Sequence, residues 1–288
     1  MGAERGDRPA ARASRDPGAP RPARVRFGAI WVDAVTFDGA LALLGDLVAR
    51  GRGGAVFTPN VDHVVLAERD RRLRDAYARA DLSLCDGQPL RWTAPLLGRP
   101  LPGRISGSDL FLPAMRLAAA RRWRVYLLGG ADGVVREAAA RLARELAVEV
   151  VGAEEPRVGL APLADEDEVI SRIAAARPDL LVVCLGAPKG EIFVDRARAR
   201  LGGAVALSIG ASLDFYVGRV RRAPRWMRSA GLEWLFRLLQ EPRRLARRYL
   251  LRDPAFALVL LRTLASPRST RLLDEEPSSH LDQDGAPR

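Results

Sequence analysis

Histidine and lysine are almost missing from this 288-residue chain, which has His63, His280 and a single lysine, Lys189. With so few imidazoles, and no D-x-D acidic pair at the end of an apolar run, a metal-dependent enzyme is not expected. The two cysteines, Cys85 and Cys184, sit inside the apolar runs LSLCDG and LLVVCLG. They predict buried, reduced thiols rather than a disulfide framework, which fits a cytoplasmic location. No run approaches the about 20 apolar residues of a transmembrane helix; AFALVLL, from Ala255 to Leu261, is cut off by Arg262. Neither a G-x-G-x-x-G fingerprint nor a Walker loop is present, which argues against a Rossmann-type oxidoreductase and against an ATP site. The Arg-, Pro- and Gly-rich residues 1–24 lack the apolar centre of a signal peptide and predict a disordered extension.

What the chain has is arginine. Basic residues number 46 against 35 acidic ones, for a formal net charge of +11. The preference for Arg over Lys, together with abundant Ala, matches GC-rich codon usage, so part of this charge is background. Only a cluster focuses a field on an anionic partner. That cluster is RVRRAPRWMRSAGLEWLFRLLQEPRRLARRYLLR, with eleven arginines against two glutamates, interleaved with Trp226, Trp234, Phe236 and Tyr249. Arginine accompanied by aromatic residues and leucines favours an anionic membrane surface over a merely solvated helix face. A non-catalytic polyanion-binding protein using the same stretch on nucleic acid is the main alternative.

Between Val25 and Gly218, short apolar runs alternate with amphipathic helical stretches. AVFTPN, LSLC, RVYLLGG, VEVVG, LLVVCLG and AVALSIG read as strands, and VDHVVLAERDRRLRDAYARA reads as one long helix. The alternation predicts an α/β fold, a Rossmann-like parallel sheet covered by helices on both faces. The expected organisation is an α/β domain over 25–218, a basic amphipathic helical appendage over 219–265 and a disordered tail over 266–288.

Ligands in such folds bind outside the carboxyl ends of the strands. Those ends carry Thr58, Pro59 and Asn60; Asp86 and Gly87; Gly129 and Gly130; Gly186, Ala187 and Pro188; and Gly210 through Asp214. Asp86 follows an apolar strand, where partial desolvation would raise its pKa and suit it to act as a general base. Capping the next helix, QPLRW, is its competing role. Asn60 serves equally as an N-cap. Arg104 lies near Ser108, the expected N-cap of the following helix. Backbone N–H groups at Gly129–Gly130 would let a pyrophosphate approach.

The segments TPNVDHVV, ADLSLCDGQPLRW, RISGSDLF, VYLLGG, PDLLVVCLGAPKGE and IGASLDFYVGRVRRAPRWMRSAGLEWLFRLLQEPRR occur in this order. With them the chain resembles the WecG/TagA/CpsF glycosyltransferases, glycosyltransferase family 26. The resemblance implies an inverting, metal-independent and cofactor-free transfer from a UDP-sugar to an undecaprenyl-pyrophosphate-linked sugar. The sugar would be N-acetylmannosamine, its uronic acid or glucuronic acid. It implies Asp86 as base, Thr58 at the acceptor or sugar, Arg104 at the phosphates, and Asp214 with the Gly129 and Gly186 loops at the nucleotide. It also implies a membrane-binding C-terminal appendage, with Arg221, Arg222, Arg225 and Arg237 as pyrophosphate or lipid contacts. The protein would sit peripherally on the inner face of the cell membrane and bind no nucleic acid; a homo-oligomer is left open. One departure stands out: the family motif P-K-Q-E is Pro188-Lys189-Gly190-Glu191 here, so the role of its glutamine does not pass to Gly190.

Overall fold

The computed structural model describes residues 22–130, 133–163 and 165–274. Most of the expected N-terminal extension and the last residues of the expected tail lie outside the described residues. The main sheet joins β3 (Gly54–Phe57), β4 (Leu82–Ser83), β5 (Arg124–Gly129), β6 (Glu149–Glu154), β7 (Leu180–Cys184) and β8 (Val205–Ser208). Its order is β4-β3-β8-β7-β5-β6, and every pairing is parallel. The six apolar runs of the sequence are these six strands.

Side chains alternate across a strand, so a run that is apolar throughout must be covered on both sides. In β7, Leu180, Val182 and Cys184 join one core, while Leu181 and Val183 join the other. The covering helices are α1 (Phe37–Ala49), α2 (Val61–Ala67), α3 (Arg71–Arg79), α4 (Gln88–Thr93), α5 (Gly107–Arg121), α6 (Val134–Leu146), α7 (Glu166–Ala176), α8 (Lys189–Ala197) and α9 (Ser212–Val217). The single long helix expected from Val61 onward is in fact two. Asp70 accepts the Arg72 N–H at 3.0 Å and caps α3 as a fresh start. Likewise Ser106, not Ser108, caps α5, accepting the Asp109 N–H at 3.1 Å.

A second sheet was not legible in the sequence. β1 (Arg24–Phe27) and β2 (Ile30–Asp33) form a hairpin, and β9 (Leu272–Leu273) pairs antiparallel with β1. The tail expected from Ser266 is therefore part of the fold as far as β9. A buried ion pair, Arg24–Asp33 at 2.7 Å, holds the hairpin, and Asp33 also accepts the Ser83 N–H at 2.6 Å.

After Gly218 the chain forms α10 (Arg225–Ser229), α11 (Glu233–Gln240), α12 (Pro242–Ala246), a π-helical turn (Arg247–Arg252) and α13 (Ala255–Ala265). From α11, α12 and the π-helical turn, Arg237, Leu245, Arg248 and Arg252 come to lie over the carboxyl ends of the main sheet, beside Thr58 and Gly186, while α13 packs against α2 and β1. No helix among the described residues is long and apolar enough to cross a membrane.

Candidate active site

Asp86 sits where two cavities meet. One, of about 380 Å³, opens between Gln88, Arg104, Ser106 and the C-terminal residues Arg228, Glu233, Trp234 and Tyr249. The other, of about 280 Å³, lies over the strand ends among Thr58, His63, Gly186, Glu191 and Gly210. Both are lined by Asn60, Asp86, Ser108, Phe215, Arg237 and Arg248. A carboxylate at such a junction can reach a group held in either chamber.

The Asp86 side chain is not a helix cap, because the N-cap position of α4 is Gly87 and no side chain caps the helix. Loss of solvation pushes its carboxyl up to about 6, against the opposing pull of Arg104 and of the Gly107 N–H. A base of this strength is mostly ionised at neutral pH yet still takes up a proton readily. Activity that depends on it should rise as pH climbs through about 6 and then level off. A kcat/KM profile that stays flat from pH 5 to 8 would contradict this role.

Arg104 is engaged by Asp109 at 2.8 Å and Glu233 at 2.9 Å. Asp109 is a hub: it also takes Arg222 at 2.9 Å, Arg228 at 3.1 Å and the Ser106 hydroxyl at 2.6 Å. Burial alone would raise the Asp109 carboxyl, but the Ser106 hydroxyl and the Arg222 and Arg104 charges outweigh it and hold the pKa down. The hub ties α5 to the helices beyond Gly218.

Thr58 is buried at the end of β3, its hydroxyl donating to the Ser208 carbonyl at 3.2 Å. Asn60 does cap α2, accepting the Asp62 N–H at 3.0 Å, and its side-chain oxygen also receives Arg248 at 3.0 Å. Gly186 lines the second cavity, whereas Pro188, at the start of α8, and Asp214, in the first turn of α9, line neither. Gly129 and Gly130 also line neither. A side chain at Gly129 would lie 2.4 Å from the Cys184 carbonyl, so this glycine (φ +102°) lets β5 close on β7. Cys85 and Cys184 are free and buried, each thiol pushed up to about 12 by burial.

The appendage arginines separate by position. Arg237 lines both cavities, lies over the Phe215 ring at 5.6 Å, and has no carboxylate partner among the described residues. Arg222 is held on Asp109. Arg221 is exposed and lines neither cavity. The Arg225 side chain lies outside the described residues.

Sequence reasoning missed Arg248 and Arg252, which reach from the π-helical turn to the buried Asp62 at 3.3 and 2.6 Å. Their i,i+4 spacing was the available signal, but it is indistinguishable from background in so Arg-rich a stretch. Glu191 was missed too. It is buried between the Ser208 hydroxyl, 2.9 Å away, and His63 Nε2, 3.5 Å away, and its second oxygen has no donor.

Gly190 now has a physical explanation. A Cβ there would lie 2.9 Å from the Ser208 hydroxyl, which occupies the space and bonds to Glu191 instead. Gly190→Ala should therefore cost about 1–3 kcal/mol through overpacking. Adding Ser208→Gly should recover part of that loss. Additive losses in denaturant melts of the two single variants and the double variant would show that the two positions do not share this space.

Among the described residues, no group of three or more His, Cys, Asp or Glu is placed to hold a metal ion. The family model for the glycosyl transferase WecG/TagA/CpsF family matches residues 25–270. The chain is 33% identical over 236 residues to an N-acetylglucosaminyldiphosphoundecaprenol N-acetyl-beta-D-mannosaminyltransferase of Bacillus spizizenii, covering 81% of this chain and 89% of that protein. A protein of the same name from Bacillus subtilis is 30% identical over 211 residues, covering 73% of this chain and 80% of that one.

Proposed function

We propose, from the premise that this chain belongs to the WecG/TagA/CpsF family of glycosyl transferases, that it moves N-acetylmannosamine from a UDP-sugar onto a diphosphoundecaprenol-linked N-acetylglucosamine. The observation that carries this reading is the placement of Asp86 at the junction of two chambers, with its carboxyl raised to about 6. Two substrates must meet at one base, and two adjoining cavities suit that need.

The chemistry is a single displacement with inversion and needs no metal. The acceptor hydroxyl oxygen forms a bond to the anomeric carbon as the bond from that carbon to the UDP oxygen breaks. The electron pair leaves with UDP, and the hydroxyl proton passes to Asp86. Arg237, at the boundary of both chambers, stabilises the charge that develops on the leaving diphosphate. The open oxygen of Glu191 accepts a hydrogen bond from a sugar hydroxyl in the second chamber. Exposed Trp226, Trp234, Leu250 and Leu251 beyond Gly218, with the arginines around them, hold the enzyme on the membrane face that carries the lipid acceptor.

A donor screen on purified enzyme tests this, using a short-chain lipid-pyrophosphate N-acetylglucosamine acceptor and mass-spectrometric detection. UDP-N-acetylmannosamine should give the product with the added sugar. Turnover only with a uronic acid donor would reject the donor assignment.

A further inference from the structure

A third cavity, of about 290 Å³, lies where the β1–β2 hairpin meets α13, and it shares no lining residue with the two that meet at Asp86. Arg26 of β1, Arg74 of α3, Arg262 of α13 and Arg271 converge on it from four separate parts of the chain. A single carboxylate, Glu68, faces them, and it already accepts the Ala29 N–H at 3.0 Å.

Half-buried arginines elsewhere in the fold are matched to carboxylates, as in Arg79–Asp195 at 2.5 Å, Arg196–Glu166 at 2.6 Å and Arg198–Asp81 at 2.6 Å. Arg26, Arg74 and Arg271, the three half-buried arginines at this cavity, make no such pair among the described residues, and the exposed Arg262 at its rim makes none either. Three are fixed by backbone carbonyls instead. Arg26 donates to Gly28 at 2.5 Å, Arg74 to Ala67 and Glu68 at 3.1 and 3.0 Å, and Arg271 to Leu264 at 3.3 Å. Carbonyl bonds orient a guanidinium without cancelling its charge. Like charges gathered around a roomy cavity repel one another until an anion enters, and guanidinium forks match the oxygens of a phosphate.

The surface beside the cavity narrows the source of that phosphate. On α13, Leu258, Leu261 and Arg262 stand at i, i+3 and i+4 and so share a face. Leu258 is 51% and Leu261 63% exposed, while Val259 and Thr263 turn inward to line the cavity. An apolar stripe at the edge of a cationic pocket complements a phospholipid, with acyl chains against the leucines and the headgroup among the arginines. We propose that this cavity binds the phosphate of an anionic phospholipid headgroup and seats the hairpin side of the protein on the bilayer. The proposal is independent of the role of Asp86.

The test is sedimentation of the full chain with phosphatidylglycerol–phosphatidylcholine vesicles, with Arg74→Gln/Arg262→Gln as the site variant. Arg121→Gln/Arg136→Gln removes the same charge from exposed positions elsewhere. The site variant should lose about 25-fold in vesicle affinity, at roughly fivefold per arginine, and the control variant much less. Leu258→Ser/Leu261→Ser should weaken vesicle binding while calorimetric binding of inorganic phosphate stays as in the wild type. A UDP-induced thermal shift, read on every variant, reports an intact fold and belongs to the transferase reading alone. Equal losses in the site and control variants would overturn the proposal, as would a site variant that loses inorganic phosphate yet sediments normally.

Discussion

Replacing Asp86 with asparagine should lower turnover by about 10²–10⁴-fold while leaving UDP binding near the wild-type level. Asparagine keeps the shape of the carboxylate and can still accept the Gly107 N–H, so what is lost is the site for a proton. The same substitution should leave the fold at least as stable at neutral pH. The folded-state pKa of Asp86 is raised from 3.8 to about 6. Its contribution to stability is therefore full below the unfolded value and is lost as pH rises through about 6. Above that, the partly buried charge costs the fold about 1–3 kcal/mol, which Asn does not incur. A rise in melting temperature at pH 7.5 that vanishes near pH 4 would mark this signature. Turnover like that of the wild type would remove Asp86 from the mechanism.

The second large effect is expected at Asp109, which does no chemistry in this reading. Asp109→Ala would leave Arg104, Arg222 and Arg228 facing one another without the carboxylate that holds them. Removing one partner of a buried ionic cluster costs about 3–5 kcal/mol. Asp109 is 27% exposed at its side chain, so solvent screening brings the expectation down to about 2–3 kcal/mol. For a chain of this size that is a fall of roughly 5–10 °C in melting temperature. Because the hub joins α5 to the helices that wall the larger cavity, KM for the substrate held there should rise as the melting temperature falls. A variant that melts with the wild type would show that the three arginines find other partners.

The strand ends were legible because their signal is local. A strand buried on both faces must be apolar throughout, and a parallel strand ends where the polar residues begin; LSLC followed by Asp86 states both facts in five residues. The same locality gave Asn60 as a helix cap. It failed at Asp70, whose charge within ERDRRLRD looked like helix surface rather than a helix start. It failed again at Ser106, two residues before the expected cap.

The sequence by itself determined a six-strand parallel sheet, a crevice at its carboxyl ends, and a carboxylate beside the core at the edge of that crevice. Only the tertiary structure decided which arginines matter. In a chain with eleven of them in one stretch, their types and spacings are alike. The distinction lies in the partners: Asp109 for Arg222 and Arg228, Asp62 for Arg248 and Arg252, and no carboxylate among the described residues for Arg237. Those partners stand more than a hundred residues away, and an ion pair leaves no periodic trace in the sequence. The pairing of β9 with the hairpin, and the basic cavity beside it, were hidden for the same reason.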